Sequence, residues 1–122
     1  MGNVHQVNNL INEKILKNSI ELEKFTSYKN SSDKIMKCEF DSFEFIVNKF
    51  KSISTFWNEL QVSKGKLNKS VKENFLISLN DEFKEVFPYI EKPSNFGCSD
   101  CKQVRYASEF YNFYFTCRRI LK

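Results

Sequence analysis

Only three glycines and two prolines interrupt a chain of 122 residues, and that scarcity is the tightest constraint on its fold. Tight turns draw on Gly, which reaches positive φ without steric cost, and on Pro, which presets a turn dihedral. An all-β domain needs many such turns. A chain with so few is expected to run in long helices joined by a handful of loops. Its 41 % hydrophobic and 28 % charged residues match a globular domain and not a disordered segment, and its length suits one domain around one core.

Apolar periodicity locates the helices. Val4, Val7, Leu10, Ile11, Ile15, Ile20, Leu22 and Phe25 recur in steps of about three and four, which predicts an amphipathic helix over about 5–27. The polar cluster Lys29-Asn30-Ser31-Ser32-Asp33 ends it and offers caps for the next. Met36, Phe40, Phe43, Val47, Phe50 and Trp57 form a heptad-like seam, widened by Ile46, Ile53 and Leu60, for a second helix over 33–61. Ser70-Val-Lys-Glu73 has the Ser-x-x-Glu form of a capping box. It would open a third helix, 70–87, carrying Phe75, Leu79, Phe83, Val86 and Phe87 on one face and stopped by Pro88. Asp100-Cys-Lys-Gln103 has a similar form and would open a fourth, 99–121, with Val104, Ala107, Tyr111, Tyr114 and Leu121 as its stripe. Phe110, Phe113 and Phe115 make that helix apolar over much of its circumference, more than one core-facing stripe needs, which leaves room for a homodimer. The expected fold is all-α: a single-domain four-helix up-down bundle.

That topology sorts the four cysteines. Helices two and four both begin at one end, called upper here, so Cys38, Cys98 and Cys101 could meet there. Cys117 is sixteen residues beyond Cys101, ~24 Å along a continuous helix, and cannot join them. The sole histidine, His5, falls at the lower end. A four-cysteine zinc site is therefore excluded within this fold. What remains for Cys98-x-x-Cys101 is a redox pair activated by a helix N-terminus, a zinc site completed by Cys38 and a fourth ligand, or small buried residues at a helix start. The redox version lacks the βαβ setting of thioredoxin-like motifs, and Asp100 opposes a thiolate. The packing version leads, so no cofactor is expected, with zinc as the alternative. A single histidine leaves no Cys-His or Ser-His-Asp set, Gly65 and Gly97 stand too isolated to cradle a phosphate, and no enzymatic activity is expected.

The same topology gathers charge. The net charge of +4 is modest. Lys64, Lys66, Lys69 and Lys72 lie in or beside the loop before helix three, and Arg118, Arg119 and Lys122 end helix four. All seven belong to the lower end, as does Gly2. Met-Gly at the start of the chain invites an N-myristoylation reading of Gly2, although Gln6 stands where the acceptor pattern has Ser or Thr. One acyl chain holds a membrane only marginally without a basic patch beside it. Nucleic-acid binding would use the same cations with Tyr106, Tyr111 or Tyr114 as stacking surfaces, but those tyrosines sit at core spacing and no recognition motif accompanies them.

No basic n-region leads into an apolar segment, and runs such as Phe45-Ile46-Val47 are far too short to span a bilayer. The chain is accordingly expected to be intracellular, cytoplasmic or membrane-peripheral, with mostly reduced thiols. The expected function is non-enzymatic: a matrix-like interaction protein whose basic end meets an anionic membrane surface or a protein partner. The alternative is a thiol-based protein using Cys98, Cys101 and Cys38.

Overall fold

In the computed structural model, which describes residues 2–60, 67–91 and 103–121, four α-helices account for most of the chain. They are α1 (Gly2–Lys24), α2 (Lys34–Glu59), α3 (Lys69–Glu91) and α4 (Gln103–Ile120), with a 3-10 turn at Thr26–Tyr28 and no strand among the described residues. Side-chain pairs set the helix directions. Phe25, just past α1, meets Phe43 near the start of α2 with ring centres 6.1 Å apart, so α1 and α2 are antiparallel. Trp57 near the end of α2 meets Phe75 near the start of α3 at 4.7 Å, the same relation again. Phe83 stacks on Tyr114 at 4.2 Å, and Asn80 and Tyr114 share a hydrogen bond, which sets α3 against α4. Tyr106 beside Phe43, and Phe110 and Phe113 beside Phe50, run α4 parallel to α2. This is the up-down bundle, and its upper end holds the starts of α2 and α4.

The α2 seam is the centre of the core. Phe40, Phe43, Ile46, Val47, Phe50, Ile53 and Trp57 are all buried, and α2 packs against each of the other helices. Burial of one such side chain contributes ~1.5–3 kcal/mol, so this single helix supplies a large share of the driving force. Asp33 caps it: Oδ1 accepts from the backbone N–H of Ile35 at 2.9 Å and of Met36 at 3.2 Å. Lys49 clasps α2 to α3 through ion pairs with Glu82, at 2.9 Å, and with Glu85. Ser52 Oγ donates to Glu82 Oε1 at 3.0 Å.

Helix limits depart from the periodicity in instructive places. The first helix begins at Gly2 and becomes a 3-10 turn after Lys24, where Thr26 Oγ1 donates to the carbonyl of Glu23 at 2.9 Å and tightens the chain. The second spans Lys34–Glu59, slightly inside the expected limits. Helix α3 does not stop at Pro88 but runs to Glu91. A proline removes one backbone donor and crowds the carbonyl four residues before it, yet continuing the helix lets Ile90 pack against the core. Nor does Ser70 cap α3. Asn68 does: its Oδ1 accepts from Val71 N–H at 2.9 Å and its carbonyl from Lys72 N–H at 3.0 Å. Asn is among the strongest N-caps, and starting there brings both Leu67 and Val71 onto the core. Helix α4 is described from Gln103, so the Asp100 box lies outside the described residues.

Two buried positions are polar: Ser42, whose hydroxyl donates to the Cys38 carbonyl of its own helix, and Asn18. Val4, Ile11, Asn18 and Phe25 follow one another at intervals of seven, so Asn18 falls in phase with the buried face of α1 and is 1 % exposed. Ile20, assigned to that face by its hydropathy, is instead 48 % exposed, because two residues turn a helix by about 200°. The Asn18 Nδ2 has no hydrogen-bond partner among the described residues. A buried donor left unmatched costs ~1–3 kcal/mol, whereas an apolar side chain of similar size does not carry that cost. Asn18→Leu is expected to stabilise the fold by ~1–2 kcal/mol in urea unfolding; a loss of stability would show that the amide is satisfied in solution.

Candidate functional site

The lower end is built by the start of α3 and the end of α4, which the antiparallel packing places side by side. Tyr114 anchors the pair. Its hydroxyl donates to Asn80 Oδ1 at 2.8 Å and accepts from Arg118 Nη1 at 3.1 Å, while the Arg118 guanidinium also lies 5.5 Å from the Tyr114 ring centre. Arg118 is thus positioned by neutral groups. A groove of about 280 Å³ opens here, with Leu76 and Ile77 of α3 facing Arg118 and Tyr114 of α4.

Lys72 precedes Leu76 by four residues and Lys69 precedes Lys72 by three, so both continue the groove-side row of α3 toward the lower end. Arg119 is exposed beside Arg118. The ion pairs found among the described residues are those of Lys24 and Lys49, and none involves these four cations. The helix dipole separates the two groups. Arg118 and Arg119 in the last turn of α4 complement its partial negative charge. Lys69 and Lys72 sit at the opposite, partially positive end of α3, whose first turn carries no acidic residue. The macrodipole favours the arginines and not the lysines, although Glu73 stands four residues after Lys69 on the same helix.

Lys64, Lys66 and Lys122 lie outside the described residues. Gly2 opens α1, at the lower end of the bundle. Apolar surface adjoins the cations: Ile77 in the groove is 60 % exposed, and Phe115, packed on Tyr111 and Tyr114, is 48 % exposed. Most of the aromatic excess of α4 is absorbed internally, since Phe110, Phe113 and Tyr114 are buried. No helix among the described residues is long and apolar enough to cross a membrane.

The thiols divide between the two ends. Cys38, in the first turns of α2, is buried, and its carbonyl accepts from Ser42 Oγ at 2.8 Å. Cys98 and Cys101 lie outside the described residues. Cys117 is wholly buried near the end of α4, eleven residues and ~16 Å beyond Tyr106, whose hydroxyl donates to Glu39 Oε1 beside Cys38. His5 is exposed in the first turns of α1. Among the described residues, no group of His, Cys, Asp and Glu is arranged to hold a metal ion. Tyr106 is pushed far above the usual tyrosine range, first by burial and then by its bond to Glu39.

Burial pushes the Cys117 thiol up to about 12, which makes it a poor nucleophile at neutral pH. The folded-state value exceeds the unfolded one, so this group's stabilisation is complete below the unfolded pKa of ~8.5 and is lost as pH climbs toward the folded value. Urea unfolding between those limits is expected to show stability falling with pH, with up to ~1.4 kcal/mol per pH unit from this thiol. Cys117→Ala should reduce that slope, whatever its effect on stability at neutral pH. An unchanged slope would mean that the thiol titrates normally in the fold.

The only signal for Asn18 available before the structure was its seven-residue phase with Val4, Ile11 and Phe25, a signal that apolar residues alone do not reveal. Of the Tyr114–Asn80–Arg118 network, only the four-residue spacing of Tyr114 and Arg118 on α4 was a signal; Asn80 joins from α3, which spacing does not reveal. No protein-family model matches the chain, and neither the curated proteins nor the solved structures include a significant match to it.

Proposed function

We propose that this chain is a non-catalytic helical binding module whose lower end docks on an anionic membrane surface. The observation that carries this is the placement of Lys69 and Lys72 at the N-terminus of α3, against its dipole and one to two turns before the groove that Arg118 of α4 lines. Cations that do not complement their own helix dipole are available to an external anion. Ile77 and Phe115 add exposed apolar surface next to them, the combination an interfacial contact uses.

Magnitudes bound the strength of the contact. Each Lys or Arg near an anionic surface contributes ~1 kcal/mol, so four give a total of about 4 kcal/mol and millimolar binding. Tighter attachment then needs the neighbouring Lys64, Lys66 and Lys122, insertion of the apolar residues, or an acyl group at Gly2. A thiol-based activity has no comparable support, since Cys98 and Cys101 lie outside the described residues.

Co-sedimentation with vesicles containing phosphatidylserine is expected to capture the protein at low salt and release it at high salt, while phosphatidylcholine vesicles leave it in solution. The triple charge reversal Lys69→Glu, Lys72→Glu, Arg119→Glu should weaken capture at least about ten-fold and leave the helical circular dichroism unchanged. No capture at low salt refutes the membrane surface, and binding to an acidic protein instead would transfer the same patch to a different partner.

A further inference from the structure

The groove at the lower end continues as an apolar track along the seam between α3 and α4. Leu76, Asn80, Phe83 and Phe87 follow at intervals of four, three and four on α3, and Tyr111, Phe115 and Arg118 at four and three on α4. The two rows meet: Phe83 lies 4.2 Å from Tyr114, 5.5 Å from Tyr111 and 5.7 Å from Phe87 between ring centres, and Tyr111 lies 4.7 Å from Phe115. Ile77, Phe87 and Phe115 are nonetheless exposed, so the outer edge of the track faces water. From Ile77 to Phe87 it follows ten residues of α3, ~15 Å. Asp81 and Lys84, exposed on α3, balance each other in charge.

The track is cationic at one end only. Arg118 lines the groove and has no ion pair among the described residues. A guanidinium has five N–H donors, and one of them goes to the Tyr114 hydroxyl at 3.1 Å. That bond, with the Tyr114 ring centre 5.5 Å away, fixes the group and leaves its other donors open. Tyr114 in turn gives its proton to Asn80 Oδ1 at 2.8 Å, so the amide hydrogens of Asn80 remain for another acceptor. Asn80 is half-buried and Arg118 exposed, and a ligand in the groove can reach both. Leu76 and Ile77 complete the lining with Tyr114, and no carboxylate takes part in it. Donors around one positive charge select one oxyanion, and a guanidinium fork suits a carboxylate. The apolar row beyond selects an alkyl chain, and one seam has room for one chain.

We propose that the α3–α4 seam binds a single free fatty acid, its carboxylate on Arg118 and Asn80 and its chain along Ile77, Phe115 and Phe87. The site shares Arg118 with the proposed membrane contact, but it needs none of Lys69, Lys72 and Arg119, and no bilayer.

The test is a titration of the ¹⁵N-labelled full chain with hexanoate, octanoate, decanoate and dodecanoate, each below its aggregation threshold and without vesicles. Saturable shifts are expected at the Asn80 side-chain amide and at the backbone of Ile77 and Phe115. A fully buried methylene tightens binding about four-fold, so one in an open seam should add about two-fold, and each two-carbon step about four-fold. Decanol should bind at least about ten-fold more weakly than decanoate. Arg118→Gln should remove that preference, and Ile77→Glu, at an exposed position, should abolish binding, both with unchanged helical circular dichroism. At high salt, the triple reversal of Lys69, Lys72 and Arg119 to Glu should leave decanoate affinity within about three-fold of the parent. The proposal is overturned if no chain gives saturable shifts, if affinity ignores chain length, or if decanol matches decanoate. Unchanged decanoate binding in Ile77→Glu, or its loss in the triple reversal, overturns it equally. Vesicle capture without decanoate binding leaves only the membrane reading standing, and decanoate binding without vesicle capture leaves only the fatty-acid site.

Discussion

Phe50 in the middle of α2, wedged against Phe110 and Phe113 of α4, is the contact on which the rest of the bundle depends. With the Phe43–Tyr106 contact it holds parallel two helices that are not neighbours in sequence, so the helix that connects them, α3, runs the other way. Aromatic rings bury a large apolar area in few positions and prefer tilted or edge-on neighbours. The angles here, 52° and 78°, follow that preference. Once α2 and α4 share a direction, α3 must lie antiparallel to both, and its first turn must meet the last turn of α4.

Both ends of the bundle follow from that alignment. At the lower end it collects cations from two helix termini of opposite dipole sense around one groove. At the upper end it brings the starts of α2 and α4 against the second half of α1 and leaves a polar cavity where Asn18 interrupts an otherwise apolar row. The two ends differ in kind. The lower one is open, cationic and bordered by exposed apolar groups, suited to a broad surface. The upper one is balanced in charge, with Lys17 and Arg105 beside Glu21 and Glu109.

Much of the scaffold was legible in the residues, for a physical reason that applies unevenly. The heptad of α2 read correctly at Phe40, Phe43, Val47, Phe50 and Trp57, where large apolar side chains are buried, whereas Met36 is only half-buried and the small Cys38 and Ser42 lie inside. Asp33 read correctly as one of a capping cluster because its carboxylate accepts from the amides two and three residues on, those of Ile35 and Met36. Periodicity erred where a residue's chemistry and its place parted company. Asn18 is polar but inside, Ile20 apolar but outside, and Pro88 sits in a helix that packing carries past it. Ser70 was passed over because Asn68 offered a cap that let Leu67 and Val71 reach the core.

The sequence by itself determined that the chain is helical, where most of each helix lies, and which end of an up-down bundle must carry the lysines and arginines. These are properties of spacing and of one-dimensional order. Tertiary structure decided which groups act together: that Tyr114 holds Arg118 and Asn80, that Lys49 clasps Glu82, and that Cys117 is sealed within the core. It also decided that Asn18 is left with an unmet donor inside the fold. Such contacts depend on the rotation of each helix about its own axis, which is set only when all four faces pack at once.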